Sequence, residues 1–194
     1  MLIAFEGLDQ SGKETQARFL RDRVRAAGLK ARVVSFPDYG TAIGEELALA
    51  LQGERDYGAE VMQLLYIANR YERRPDLDRW RAAGITVLCD RYVASSVAYG
   101  EAQGLDPLWL TDLQRFLPQP DLTVLLDIAP ETALTRKAIG RDRYEADLAM
   151  QSRVRESYLR QAVQSGWLRV DGQGAPDEVA SAVARTVGPR LGLP

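Results

Sequence analysis

The sequence predicts an α/β fold built around a parallel sheet, and three observations lead there. Four or five short apolar runs alternate with longer stretches of helical period. A glycine-bearing loop, GLDQSGK over residues 7–13, follows the first apolar run and leads into the first helical stretch. Two later runs each end in an aspartate, Asp90 and Asp127.

Each element has its own local signal. Residues 2–5 form a continuous apolar run of the kind that makes a strand buried on both faces. From Lys13 onward Ala17, Leu20, Val24 and Ala27 recur at helical spacing, and Gly28 supplies the stop. Residues 31–36 predict a second strand, closed by Pro37. Helices are expected near 43–51 and from 59 to about 73, the latter with Val61, Leu64, Leu65, Ala68 and Tyr71 as its core stripe. Residues 85–89 and 122–126 predict buried parallel strands, and 167–170 a shorter one. A last helix carries Val179, Ala182, Val183, Thr186 and Val187, with Pro176, Asp177 and Glu178 suited to its first turn. No repeat, low-complexity tract or linker interrupts this order, so residues 1–194 are expected to form one domain.

Composition removes several chemistries. There is no histidine, so Ser-His-Asp, Cys-His and His-metal mechanisms drop out. The single cysteine, Cys89, can form neither an intrachain disulfide nor a cysteine-based zinc site. A net charge of -2 gives no global attraction to nucleic acid or membrane, and anion binding must come from local basic clusters. The N-terminus lacks a basic leader and a cleavage site, and no apolar stretch approaches the roughly 20 residues that span a bilayer. A cytoplasmic location is the expectation.

The loop GLDQSGKET, residues 7–15, has Gly7, Gly12 and Lys13 at the spacing of a phosphate-binding P-loop. Glycines let backbone N–H groups curl around phosphate oxygens, the helix N-terminus favours negative charge, and the lysine reaches the terminal phosphates. Leu8, Asp9, Gln10 and Ser11 complete the loop. The position after the lysine departs from the pattern. A Ser or Thr there would offer a hydroxyl to Mg²⁺, but Glu14 occupies it, with Thr15 one residue on. A carboxylate facing the phosphates is repelled by them, so Glu14 must point away or reach the metal through water.

Asp90 ends a predicted buried strand, at the edge where open α/β sheets bind ligands. Opposite a phosphate loop it can hold Mg²⁺ directly or through water, while Arg91 beside it can grip a phosphate with its planar fork. Asp127 has no basic neighbour in sequence and is read as a strand-end ion pair.

Taken together, the segments resemble the thymidylate kinases, a family of P-loop nucleoside monophosphate kinases. The resemblance rests on FEGLDQSGKET, then FPDYGTAIGE (36–45), LLYIANRYE (64–72), DRYVASSVAYG (90–100), LPQPDLTVLLD (117–127) and GRDRYE (140–145), in this order along nearly the whole chain. It implies a five-stranded parallel sheet with helices on both faces, a helical lid near residues 135–146, and usually a homodimer. It also implies transfer of the ATP γ-phosphoryl group to dTMP, with Mg²⁺, on the route to dTTP.

By that resemblance Tyr66 stacks on thymine and Arg70 reads its carbonyl side; the two lie four apart on one helix face. Ser96 matches a polar position that contacts the base in relatives, with Ser95 beside it in the dTMP site, and Tyr99 an aromatic under the sugar, where a ribose 2′-hydroxyl would be crowded. Phe36, Pro37 and Tyr39 match a loop closing over the monophosphate. Arg91 matches a phosphate-binding arginine, and Asp9 an acidic residue near the sugar and metal. The basic stretch 135–145, with Arg136, Lys137, Arg141 and Arg143, suits a lid over the transferring phosphate. In relatives a catalytic arginine comes from the P-loop or the lid; with Gln10 in the P-loop here, the lid must supply it, Arg141 first. Two other readings stay open: a kinase for another monophosphate such as UMP or CMP, and a nucleotide-binding regulatory module that lost catalysis through Glu14.

Overall fold

In a computed structural model the described residues are 1–136 and 147–193. Five strands alternate with eight helices among them. The order is β1 (Leu2–Glu6), α1 (Lys13–Ala26), β2 (Ala31–Ser35), α2 (Ala42–Leu51), α3 (Ala59–Ala82), β3 (Thr86–Asp90), α4 (Val93–Ala102) and α5 (Pro107–Leu113). It continues with β4 (Leu122–Asp127), α6 (Pro130–Arg136), α7 (Leu148–Ser165), β5 (Leu168–Asp171) and α8 (Pro176–Leu191).

All strand pairs are parallel, in the order β2-β3-β1-β4-β5. Side chains alternate across the central strand and so feed two cores. Ile3 and Phe5 join Leu20 and Val24 of α1 and Val179, Val183 and Val187 of α8 on one face. Leu2 and Ala4 join Leu77 of α3 and Tyr92 on the other. Beside them α4 and α7 pack through Ala94, Ala98, Val154 and Tyr158 against Leu125. With helices on both faces the three inner strands, β1, β3 and β4, are almost wholly buried and read as near-continuous apolar runs, whereas the edge strands β2 and β5 alternate buried and exposed residues. The register sets Phe5 against Asp90 and Glu6 against Leu125, so Glu6, Asp90 and Asp127 gather at one sheet edge with the loop after β1.

The sequence reading of α3 needs two corrections. The helix runs to Ala82 through Pro75, well past residue 73. Leu77, fully buried, and Trp80 on its second half pack under β3, and that packing outweighs the cost of one interior proline. Its buried side is also not the expected stripe. Val61 and Leu64 are exposed, whereas Met62, Gln63, Ile67, Asn69 and Arg70 face inward. Polar residues sit inside because this face of α3 borders a pocket rather than a dry core. Asp127 is an ion pair as expected, but a buried one: Arg155 and Arg169 both reach it, at 2.7 and 2.5 Å.

A tight approach holds the turn that precedes α2. Gly44 lies where a Cβ would come within 1.9 Å of the Asp38 carbonyl oxygen. Gly44→Ala should therefore push the 38–41 turn off α2 and cost about 1–3 kcal/mol, the scale of overpacking. Thermal denaturation checks this; an unchanged Tm would mean that the turn shifts freely.

Candidate active site

The loop after β1 folds as a phosphate cradle because its glycines occupy conformations other residues avoid. Gly7 has φ 139°, and a Cβ on it would strike the Leu126 carbonyl oxygen at 2.4 Å. Gly12, at φ 90°, is the N-cap of α1 and turns the chain into the helix. Lys13, almost wholly buried, donates from Nζ to the Leu8 carbonyl at 2.7 Å. Burial, and then the charge of Arg91, bring the Lys13 ammonium down to about 8; Asp90, Asp9 and Glu6 oppose the shift.

Glu14 and Thr15 both lie on the exposed side of α1. The Glu14 carboxylate accepts from Arg18 one turn on, at 2.6 and 3.1 Å, and so faces away from the loop's interior. In contrast Ser11 Oγ, inside the loop, is buried without a partner, and so is Asp90 Oδ1 at the end of β3. Two orphaned oxygens at a phosphate loop suit a hydrated divalent cation. Among the described residues no three acidic, cysteine or histidine side chains cluster into a metal cage, so phosphates and water would supply the other ligands.

Beside the loop a pocket is lined by Asp9, Phe36, Pro37, Tyr39, Tyr66, Arg70, Arg91, Ser95, Ser96 and Tyr99. All ten are residues that the family resemblance assigns to the nucleotide. Leu51, Gln63 and Gln103 line it too and carried no sequence signal.

Arg91 sits at the pocket's inner end, in the left-handed region at φ 64°. Its guanidinium pairs with Asp9, lies over the Tyr99 ring 5.2 Å from the centroid, and reaches the Tyr99 hydroxyl at 3.2 Å. The Tyr99 hydroxyl donates to the other Asp9 oxygen at 2.7 Å. Burial works against ionisation of Asp9, but the charges of Arg91 and Lys13 and the Tyr99 bond outweigh it and hold the carboxyl at about 2. Burial lifts the Tyr99 phenol well above its ordinary value, so it stays a neutral donor.

Arg70, at 3% exposure, closes the other end. It donates to Ser96 Oγ at 2.7 Å and to Gln114 Oε1 at 3.2 Å, and its Nε is buried without a partner. Gln114 is itself oriented by donating to the Val93 and Leu110 carbonyls at 3.0 and 3.1 Å. The loop over the pocket is clamped by α3: Asn69 bonds the Asp38 backbone at both N–H and carbonyl, and Glu72 accepts from Thr41 at 2.6 Å. Asn69 and Glu72 lie inside the segment LLYIANRYE, but nothing in their spacing distinguishes a loop clamp from a solvated helix face.

Arg136, at the end of α6, donates to the Gln10 carbonyl at 3.1 Å and to Gly172 and Gln173 carbonyls at 2.8 and 3.1 Å. It ties the phosphate loop to the β5–α8 connection. Lys137, Arg141 and Arg143, with most of the expected lid, lie outside the described residues.

Comparison with known proteins agrees with this geometry. The sequence model of the thymidylate kinase family matches residues 5–183. The thymidylate kinase of Thermomicrobium roseum is 38% identical over 95% of this chain and 93% of its own. That of Schizosaccharomyces pombe is 38% identical over 82% of this chain and 75% of its own. The solved structure of the Candida albicans thymidylate kinase superposes with a TM-score of 0.81 at 28% identity, covering 97% of this chain and 91% of that one. The phosphate loop, the pocket beside it and these matches together make the chain a member of the thymidylate kinase family.

Proposed function

We propose how this chain carries out its reaction, the phosphorylation of dTMP by ATP to give dTDP and ADP, and which residues perform it. The observation that carries the assignment is the pocket between buried Arg70 and the Arg91–Asp9–Tyr99 group, opening beside the phosphate loop. Thymine stacks on Tyr66, and Arg70 turns its remaining donors to the base carbonyl, with Ser96 alongside. Tyr99, fixed by its bond to Asp9, fills the space under the sugar. Phe36, Pro37 and Tyr39 cover the monophosphate, and Arg91 grips it.

ATP phosphates take the N–H groups of residues 7–15, and Lys13 exchanges the Leu8 carbonyl for a phosphate oxygen. Mg²⁺ fits beside Asp90 and Ser11, with Asp9 near, and when bound supplies neutralisation of β- and γ-phosphate charge. The acceptor oxygen is already anionic, so positioning and charge suffice and no general base is required. The transition-state cation is assigned to the lid, Arg141 first and Arg143 beside it. Arg136, with four backbone carbonyls to hold, braces the Gln10 turn. The homodimer is carried over from the family resemblance.

The test is a panel of acceptors. With ATP and Mg²⁺, kcat/KM should be highest for dTMP, lower for dUMP and the ribonucleotide of thymine, and lowest for dCMP. Equal values for dTMP and dCMP would sink the base assignment. Tyr99→Ala should narrow the deoxy/ribo gap, while Tyr99→Phe, which keeps the ring, should not.

Lys13 generates a pH prediction. Its ordinary value is 10.5 and the fold holds it at about 8, so the free enzyme loses this cation as pH rises through about 8. Only the protonated form attracts phosphate, so kcat/KM for ATP should fall on that alkaline limb. Once ATP is bound its charge raises the Lys13 value, and kcat should fall later. Lys13→Arg stays charged over this range and should abolish the limb, whatever its overall rate. A limb that survives in Lys13→Arg belongs to another group.

Glu14 generates a third. With its carboxylate on Arg18 and away from the phosphates, Glu14→Ser should remain active with a modestly shifted Mg²⁺ requirement, and Asp90→Asn should be severely impaired. An inert parent enzyme rescued by Glu14→Ser would instead mark a binding module without catalysis.

A further inference from the structure

The most buried acidic side chain at the sheet edge has no part in the mechanism above. Glu6 ends β1 with no solvent exposure. Its Oε1 accepts from the Tyr92 backbone N–H at 2.9 Å. Its Oε2 accepts from the Ser95 hydroxyl at 2.6 Å and from the Tyr158 hydroxyl at 3.2 Å. Ser95 and Tyr158 oxygens are themselves 2.8 Å apart, and both residues are buried. A carboxylate on β1 is thus joined to α4 and α7 through two hydroxyls.

This trio faces Arg91. Nη1 of Arg91 donates to Ser95 Oγ at 3.3 Å, to Tyr158 Oη at 3.4 Å and to the Gly7 carbonyl at 3.3 Å. Nη2 is the nitrogen held by Asp9 and the Tyr99 hydroxyl. The two ends of the fork are therefore held by different kinds of group: one by an anion and a phenol, the other by neutral oxygens anchored on Glu6. The same carboxylate fixes the backbone turn, since the Tyr92 N–H that it accepts follows directly on the left-handed Arg91.

We propose that Tyr158 and Ser95, anchored on the buried Glu6 carboxylate, are positioning residues that set the Arg91 guanidinium for the acceptor phosphate. The physical reason is competition. Asp9 attracts Arg91 as a whole, and a guanidinium pulled onto one carboxylate presents its fork in whatever plane that pair prefers. Recognition of a phosphate by two parallel N–H groups needs that plane fixed. Weak neutral contacts at Nη1 supply the constraint, and because they persist in the complex they hold the plane while the phosphate takes the fork's remaining donors. Burial lifts the Tyr158 phenol above its ordinary value, so it acts as a neutral hydroxyl and not as a second anion. Ser95, assigned above to the nucleotide by resemblance, then acts on it through Arg91.

The inference rests on the assignment of Arg91 to the dTMP phosphate, and thymidine, which has the base and sugar but no phosphate, separates the two. Calorimetric titration of dTMP and thymidine with Arg91→Ala comes first. It should weaken dTMP by about tenfold or more and leave thymidine within about twofold; equal loss of both would overturn the Arg91 assignment itself. Tyr158→Phe keeps the ring in the core cluster that includes Leu8 and Val154 and removes only the hydroxyl. It should weaken dTMP about fivefold, the scale of one hydrogen bond, with thymidine unchanged. Combined with Arg91→Ala it should add nothing further, since its effect passes through that side chain. If Tyr158→Phe weakens dTMP and thymidine alike, or neither, or adds its full effect on top of Arg91→Ala, the positioning role is wrong. Ser95→Ala, subject to the same comparison, decides the matter should Tyr158→Phe fold poorly.

Discussion

The structure depends on keeping several cations buried at one sheet edge before any phosphate is there to neutralise them. Lys13, Arg70 and Arg91 all lie within the fold, and each is held on an internal acceptor: Lys13 on the Leu8 carbonyl, Arg70 on Ser96 and Gln114, Arg91 on Asp9. Such contacts satisfy the donors without filling every site on them. Arg70 keeps an unpartnered Nε, and Ser11 and Asp90 keep unpartnered oxygens. Under the assignment proposed above, nucleotide phosphates and a base edge would take the place of these internal acceptors. The cost of burying unpaired charge is thereby avoided in the empty protein and is not reimposed in the complex. Lys13 carries the clearest signature of the arrangement, a cation held near the point of losing its proton.

The parallel sheet makes that concentration of charge possible. Its strands end together, so Glu6, Asp90 and Asp127 arrive at the same edge as the helix N-terminus of α1. Their environments then divide the labour. Asp127 is saturated by Arg155 and Arg169 and is a structural pair. Asp90 keeps one buried oxygen without a partner. Glu6 turns both oxygens inward and braces the turn that carries Arg91. Three carboxylates on three adjoining strands have three fates, decided by what each faces.

Much of this was legible in the sequence because it is encoded locally. The glycines of the phosphate loop, the apolar strands and the aspartates after them are runs or short spacings that a linear reading sees directly. So are the ten pocket-lining residues that the ordered segments brought together. What escaped is encoded between distant residues. Tyr158 lies 152 positions from Glu6. Gln114 lies 44 from Arg70, and Arg136 is 126 from the Gln10 carbonyl it holds. None of these pairs leaves a periodic or local trace. The reading of α3 failed for a related reason. A helix with apolar residues all round gives no unique stripe, and the rule that apolar faces turn inward assumes a dry interior. Here the interior is a polar pocket, so Gln63, Asn69 and Arg70 were drawn in and Val61 and Leu64 were left outside.

The same distinction explains why Glu14 is tolerated. At the first turn of α1 a carboxylate is favoured by the helix dipole and by an arginine four residues on. Neither contribution is large for exposed groups. They need only outweigh the alternative, in which the side chain turns inward toward phosphates that repel it. The backbone of α1 points successive side chains about 100° apart. With Lys13 buried toward the loop, Glu14 is therefore directed outward whatever its chemistry. There the carboxylate meets Arg18 one turn on. The hydroxyl lost at this position has a candidate replacement already inside the loop, the buried and unpartnered Ser11 Oγ.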